Sequence, residues 1–371
     1  MMYRLGAVGL GHWFERLYEG MKKGDRIKVV KAVGTSDVER KIELLNVFGI
    51  EKNNYYKINP DGSIPDEFFS DLDIVHISDP NGFHSKQAIQ SLEKGKCVIV
   101  EKAIGVTKDE FDRTLKYIEE NGYQNKMYLH LHYIHKLLTL ELPNLLSRFT
   151  KDYGKIKRIE STFFEEESDS DMKRSRWLFN DENGGLFMDW IHPYEIVMLG
   201  GLAEKITIND LKLYAVNQKY SNEFPTGIET VMDVNGKYFS DDAVWTSRIS
   251  KGVPKGKGIK KILFIFENGF KLDLLYIPSE LEFNSDKRGE WKLFDNENKL
   301  LKQESPKGKM SSEILVEDIV EMCNGNAKML TIDKIKRLFE PQWKYQELSK
   351  KSVLITDNSE VDRFINSGMG E

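Results

Sequence analysis

What most constrains this chain is the alternation, through its first 130 residues, of short apolar runs with stretches of helical period. Candidate strands are Tyr3–Val8, Ile27–Val33, Ile74–Ser78, Cys97–Val100 and Met127–Leu131, with helix-like stretches between them near 13–22, 37–48, 83–94 and 108–121. Short strands separated by helices of about 10–15 residues imply βαβ units and a parallel sheet. A run such as Cys97-Val-Ile-Val100, apolar throughout, fits a strand covered on both faces. Residues 1–132 are therefore expected to form a Rossmann-type, doubly wound α/β domain.

The pattern changes beyond that point. A helix-like segment at Leu137–Phe149 precedes a strand at Ile156–Phe164, an acidic stretch at 165–171 and a glycine-started helix at 185–199. Strand candidates then follow at 205–216, 228–234, 243–249, 259–266, 270–277, 280–284 and 290–294. Asn235-Gly236 and Asn268-Gly269 read as hairpin turns between them. The Lys/Gly run 251–261 reads as a solvated hairpin connection. Two helices, Ser311–Asn324 and Thr331–Lys350, close the pattern, the second interrupted near Pro341. Residues 133–371 are thus expected to form an α+β domain with a large open, mostly antiparallel sheet. One face of that sheet is left uncovered, which predicts a homodimer or homotetramer built through it.

Composition closes off several classes of function. The 371 residues suit two domains, and 40% hydrophobic residues supply their cores. No run approaches about 18 apolar residues, so no membrane span is expected. The start lacks a basic segment followed by an apolar one, which predicts a cytoplasmic protein. Acidic and basic residues are mixed, with a net charge of −5, so no nucleic-acid surface is expected. Cys97 and Cys323 stand far apart, outside any CxxC pattern, and support neither a disulfide framework nor a zinc site. None of the seven histidines lies beyond His192, which confines imidazole chemistry to the first part of the chain.

The first βα junction reads Gly6-Ala-Val-Gly9-Leu-Gly11-His12-Trp13-Phe14, the context of a dinucleotide-binding turn. Gly9 would permit the tight turn, and Gly11 would let backbone approach a pyrophosphate at the helix start beside His12 and Trp13. Phe14 replaces the third glycine. The plain alternative is a glycine-rich turn of a flavodoxin-like domain. At the end of the second strand, where an acid would read the ribose of NAD, stand Thr35 and Ser36, with Asp37 as a helix cap. Hydroxyls do not repel a 2′-phosphate, so NADP is expected to bind at least as well as NAD.

Three further segments complete a pattern. Asp79-Pro80-Asn81-Gly-Phe-His84 follows the fourth strand, Glu101-Lys102-Ala103 follows the fifth, and Gly184-Gly185-Leu-Phe-Met-Asp189-Trp-Ile-His192-Pro193 comes later. With the glycine-rich turn, these resemble the Gfo/Idh/MocA family (glucose–fructose oxidoreductase / inositol dehydrogenase-like) over the whole chain. The resemblance implies cofactor contacts from Gly9, Gly11, His12, Trp13, Thr35, Ser36, Asp79, Pro80, Asn81, His84, Glu101 and Lys102. It also implies hydride transfer between NAD(P) and a hydroxyl or carbonyl of a sugar, polyol or related small molecule. His192 would be the base and Lys102 the group stabilising charge on the same oxygen, without a metal.

The chain departs from the family's pattern in two places. Ala103 stands where the family has proline, and Asp189 lies three residues before His192 where the family spaces this pair by four. Asp189 either orients the imidazole or caps the helix. A second echo, His132-Tyr133-Ile-His135-Lys136, resembles the D-H-Y-x-x-K segment of glucose-6-phosphate dehydrogenases, which implies substrate contacts from His132 and Lys136. Trp177, beside Arg176, is a further substrate candidate. The blander readings are a surface ion pair for Glu101-Lys102, a core histidine for His192 and a packed Trp177. The functional alternatives are a cofactor-binding protein without turnover and an NAD-assisted glycoside hydrolase.

Overall fold

The structure is a computed structural model. It describes residues 2–166, 191–199, 206–214, 231–238, 243–253, 256–277, 281–282, 285–326, 330–349, 351–352, 354–355 and 357–369. Two compact units emerge, Met1–His135 with Lys309–Lys336, and Lys136–Gly308 with Arg337–Glu371.

In the first unit, strands β1 (Tyr3–Val8), β2 (Ile27–Gly34), β3 (Tyr55–Lys57), β4 (Ile74–Ile77), β5 (Cys97–Glu101) and β6 (Met127–His130) form one sheet in the order β3-β2-β1-β4-β5-β6. Every pairing in it is parallel. Helices α1 (His12–Met21), α2 (Ile42–Val47), α3 (His84–Glu93) and α4 (Lys108–Glu120) join the strands. Leu5, Ala7, Val8 and Val98–Val100 are fully buried, as strands covered on both faces require. Helix α4 shows how locally its limits are set. Thr107 at its N-cap accepts the Glu110 amide at 3.2 Å, and Phe111, Thr114, Leu115 and Ile118 form its buried stripe.

A helix from the far end of the chain completes this unit. Ser311–Cys323 packs on α1, burying Leu315, Val316, Ile319 and Val320 with Phe14, Leu17 and Met21. The two helices touch backbone to backbone at Gly20, where an added Cβ would stand 2.4 Å from the Ser312 carbonyl oxygen. Tyr3 fixes the far end of this return helix, its hydroxyl donating to Asn324 Oδ1 at 2.6 Å. A division at residue 132 leaves this segment with the second domain. The apolar stripe of the helix instead finds its partner in the first.

The second unit is built on a nine-stranded sheet. Its strands are β7 (Ile156–Glu166), β8 (Ile206–Tyr214), β9 (Val231–Tyr238), β10 (Ala243–Val253), β11 (Ile259–Phe266), β12 (Lys271–Leu275), β13 (Glu290–Phe294), β14 (Leu300–Glu304) and β15 (Leu354–Ile355). They run in the order β14-β13-β12-β11-β7-β10-β9-β8-β15. Pairing is antiparallel except at β7–β10 and β8–β15. Ile262, Phe264, Leu272, Leu274, Trp291 and Leu293 alternate into a buried face. Helix α5 (Leu137–Tyr153) packs here, with Phe149 edge-on to Trp291 and Tyr153 stacked on Phe270 at 4.3 Å.

Four local expectations are corrected. Asn235-Gly236 is no turn but lies inside β9, where Gly236 sits opposite the bulge between Ile208 and Asp210 of β8. The segment after β10 is no hairpin, because β7 lies between β10 and β11; Glu166 at the end of β7 accepts the amides of Gly256 and Gly258 at 3.0 and 3.3 Å. Leu281 and Glu282 are helical rather than extended, and the Glu282 carboxylate is committed to a buried ion pair. Helix Ile332–Ser349 runs through Pro341, since buried Phe339, Gln342 and Tyr345 around it outweigh one lost hydrogen bond.

The crossing at Gly20 is testable. In an open helix interior, Gly→Ala stabilises by about 0.5–1 kcal/mol. Here the new methyl meets backbone, so Gly20→Ala is expected to destabilise the protein by about 1–3 kcal/mol. Chemical denaturation compared with wild type reads both sign and size.

Candidate active site

In the first unit, strand order turns outward in both directions from the β1–β4 pair, and the loops at the carboxyl ends of these strands leave a crevice between them. Gly9 lies at its floor with φ +83°, and a Cβ there would stand 2.9 Å from the Asp79 amide nitrogen and 3.0 Å from the Ser78 carbonyl. Both the turn and the close approach require glycine. Gly11 caps α1, with no side chain bonded to the helix end and open space where a Cβ would be. Amides of the first turn of a helix have no acceptor within it, so this uncapped end suits a pyrophosphate. Phe14, in place of a third glycine, is fully buried and edge-on to Phe48 at 4.9 Å. The side chain of His12 lies outside the described ones. Trp13 carries the Arg16 guanidinium 4.3 Å above its ring and meets His132 at 5.2 Å.

After β2, Thr35 is exposed and Ser36 half-buried, with the Tyr55 hydroxyl donating to the Ser36 carbonyl at 2.8 Å. Asp37 makes no side-chain cap; its carboxylate pairs with Lys57 at 2.7 Å, which holds it below the usual range. Arg40 and Lys41 end the short turn that follows. They are the first cations after Ser36 in the sequence.

His84 is a buckle between two loops. Its Nδ1 lies 3.0 Å from the Ala103 carbonyl oxygen and its Nε2 2.7 Å from that of Asp79, tying the loop after β5 to the loop after β4. Asp79 and Asn81 are buried, Pro80 is half-buried, and Gln87 Nε2 donates to Asp79 Oδ2 at 2.8 Å. Burial pushes the Asp79 carboxyl up. The Lys102–Ala103 peptide is cis although no proline is present.

Glu101 ends β5 fully buried, bonded to His130 Nδ1 and 3.9 Å from His76 Nε2. Burial alone would raise its carboxyl, but His130 and His76 outweigh it and hold the group well below the ordinary range. His76, Glu101 and His130 bring their donor atoms within 4.8 Å of one another, the donor types of a cation site, with Glu101 and His130 bonded to each other. Lys102 follows, only 8% exposed.

His132 is half-buried, and buried His135 reaches Tyr128 at 2.8 Å and Asp318 at 3.4 Å. In the second unit, the Lys136 ammonium lies 2.8 Å from Glu282, both 1% exposed, and also donates to the Ile277 carbonyl at 3.2 Å. His192 stands on helix Ile191–Leu199, with Nδ1 3.4 Å from the fully buried Glu195 carboxylate. Asp189 and Trp177 lie outside the described residues. Glu195 was not singled out from the sequence, although its i+3 spacing from His192 on an apolar helix was the available signal.

Residues 3–128 match the family model GFO_IDH_MocA, described as an oxidoreductase family with an NAD-binding Rossmann fold. Over that stretch the chain is similar to the Gfo/Idh/MocA oxidoreductases. Solved structures resemble the chain across both units. KijD10 of Actinomadura kijaniata, a 3-ketoreductase in complex with NADP and TDP-benzene, is 12% identical over 96% of this chain and 100% of its own, with TM-score 0.74. An aldose-aldose oxidoreductase from Caulobacter crescentus, complexed with glycerol, is 14% identical over 95% and 97%, with TM-score 0.71. UDP-N-acetylglucosamine 3-dehydrogenase from Acidithiobacillus ferrooxidans is 13% identical over 93% and 96%, with TM-score 0.63. At such identities the likeness is one of fold. Among the described residues, no helix is long and apolar enough to cross a membrane.

The buried network carries a pH signature. Burial lowers His76 from its ordinary 6.5, more than Glu101 raises it. Below about pH 6.5 the unfolded chain therefore binds a proton that the native state refuses, and stability falls with pH. Thermal midpoints between pH 7 and pH 5 should decline more steeply for wild type than for His76→Phe. Equal slopes would mean that His76 titrates alike in both states.

Proposed function

We propose that this NAD(P)-binding oxidoreductase interconverts a hydroxyl and a carbonyl on a sugar or polyol. The observation that carries the proposal is Lys102, a nearly buried cation at the carboxyl end of β5, on the same sheet edge as the uncapped α1 turn. A cation there can donate to the substrate oxygen and stabilise the negative charge that grows on it as its proton leaves. Bound NAD(P) supplies the hydride acceptor or donor.

His192 is assigned the proton. Its Nδ1 faces Glu195, so Nε2 is the atom that takes the hydroxyl proton during oxidation and returns it during reduction. Glu195 is a positioning residue that fixes the imidazole tautomer, the part first considered for Asp189. Lys136 argues against a phosphorylated substrate at its position, because Glu282 already neutralises it. His132, beside Trp13, keeps a proposed substrate contact. We also propose assembly through the face of β11–β13 opposite α5, where Leu263, Ile265, Leu275 and Phe294 are half-buried. A monomer by light scattering at micromolar concentration would contradict it.

Steady-state NAD(P)H formation with a panel of unphosphorylated sugars and polyols tests the function. Turnover supports it, whereas glycoside cleavage without net reduction of the cofactor assigns a hydrolase. Lys102→Met and His192→Ala should each lower kcat by about 10²–10⁴-fold, far from additively, with cofactor affinity little changed for His192→Ala. Glu195→Gln should cost about 10-fold in kcat, since the imidazole loses its carboxylate partner.

Cofactor choice gives a separate test. With Thr35 and Ser36 in place of an acid and Arg40 close behind, NADP should bind at least as tightly as NAD in a fluorescence titration. A preference of about 100-fold for NAD would refute this.

A further inference from the structure

The chain contains two cysteines, and the fold brings them together. Cys97 opens β5 and Cys323 ends the return helix; both are free, half-buried and packed against the same core, and that helix touches β5. Independent anchors fix this meeting. Asn324, directly after Cys323, accepts from Tyr3 at 2.6 Å, while the Cys97 amide donates to the Asp73 carbonyl at 3.0 Å. Register places Leu5 opposite Ile74 and Ile74 opposite Cys97, so all these groups gather at the amino edge of one sheet. Cys97 lies four residues before Glu101, about 13 Å along the strand at 3.3 Å per residue, away from the candidate active site.

The two thiols are not equivalent. The neighbouring Cys323, helped by the charge of Lys126, brings the Cys97 thiol down to about 7, while Cys97 in turn pushes Cys323 up. One sulfur is thus prepared to attack and the other to resolve.

We propose that Cys97 and Cys323 form a peroxide-reactive dithiol site whose disulfide ties the return helix to β5. The Cys97 thiolate attacks one oxygen of hydrogen peroxide and the O–O bond breaks. Cys97 becomes a sulfenic acid, and the leaving hydroxide takes a proton to become water. The Cys323 sulfur, losing its proton, then attacks the Cys97 sulfur; the S–O bond breaks, a second water leaves and the S–S bond forms. Both sulfurs are oxidised by one electron each, and the peroxide is reduced by two. Closing so long a loop between two elements of one unit restricts the unfolded chain and stabilises the native one.

The test uses the full chain, reduced and then treated with stoichiometric hydrogen peroxide. Intact mass should fall by two hydrogens, thiol titration under denaturing conditions should drop from two to none, and the product should stay a single chain on a non-reducing gel. Its thermal midpoint should rise by about 5 °C or more and return on treatment with dithiothreitol. In Cys323→Ser, a dimedone adduct should appear at Cys97 and no disulfide should form. Two thiols still titrating after peroxide, a crosslink between two chains, or an unchanged midpoint in the oxidised protein would each overturn the proposal.

Discussion

Everything at the candidate site depends on the outward turn of strand order between β1 and β4. Where two neighbouring parallel strands send their connections in opposite directions, the loops part and an opening is left without any side chain having to create it. The chain spends its most restricted residues there. Gly9 lets the turn after β1 lie against the backbone of Ser78 and Asp79, and His84 then fastens the loop after β4 to the loop after β5. A cofactor pyrophosphate would meet backbone amides at a helix end, while side-chain chemistry is held back for the substrate.

Two buried lysines show how context divides one residue type between roles. Lys136 is matched to Glu282 in a dry pair, an arrangement that fixes geometry more than it adds stability. Lys102 sits beside Glu101, whose carboxylate is already taken by His130.

Much of this could be read from the sequence, and the reasons are local. Cys97-Val-Ile-Val100 announced a covered strand because apolarity at every position has few other uses. The glycines of the first turn, Pro80-Asn81 and Glu101-Lys102 stood at strand ends, where spacing alone places them. Signals depending on tertiary contact were invisible or misleading. Asn235-Gly236 looked like a turn, yet its glycine accommodates a bulge in the neighbouring strand. Pro341 looked like a break, yet buried neighbours carry the helix through it. The His84 bridge and the meeting of Cys97 with Cys323 join residues whose proximity no periodicity encodes.

The return helix has a consequence for biosynthesis. Ser311–Cys323 supplies part of the core of a unit whose other strands and helices lie within the first 135 residues. On the ribosome, β1 to β6 emerge long before the helix that covers α1. Until residues 309–336 follow, Phe14, Leu17 and Met21 lack part of their cover, a condition that favours chaperone capture or aggregation of the nascent chain. The unit that begins to emerge first is therefore not finished until residues 309–336 have been made.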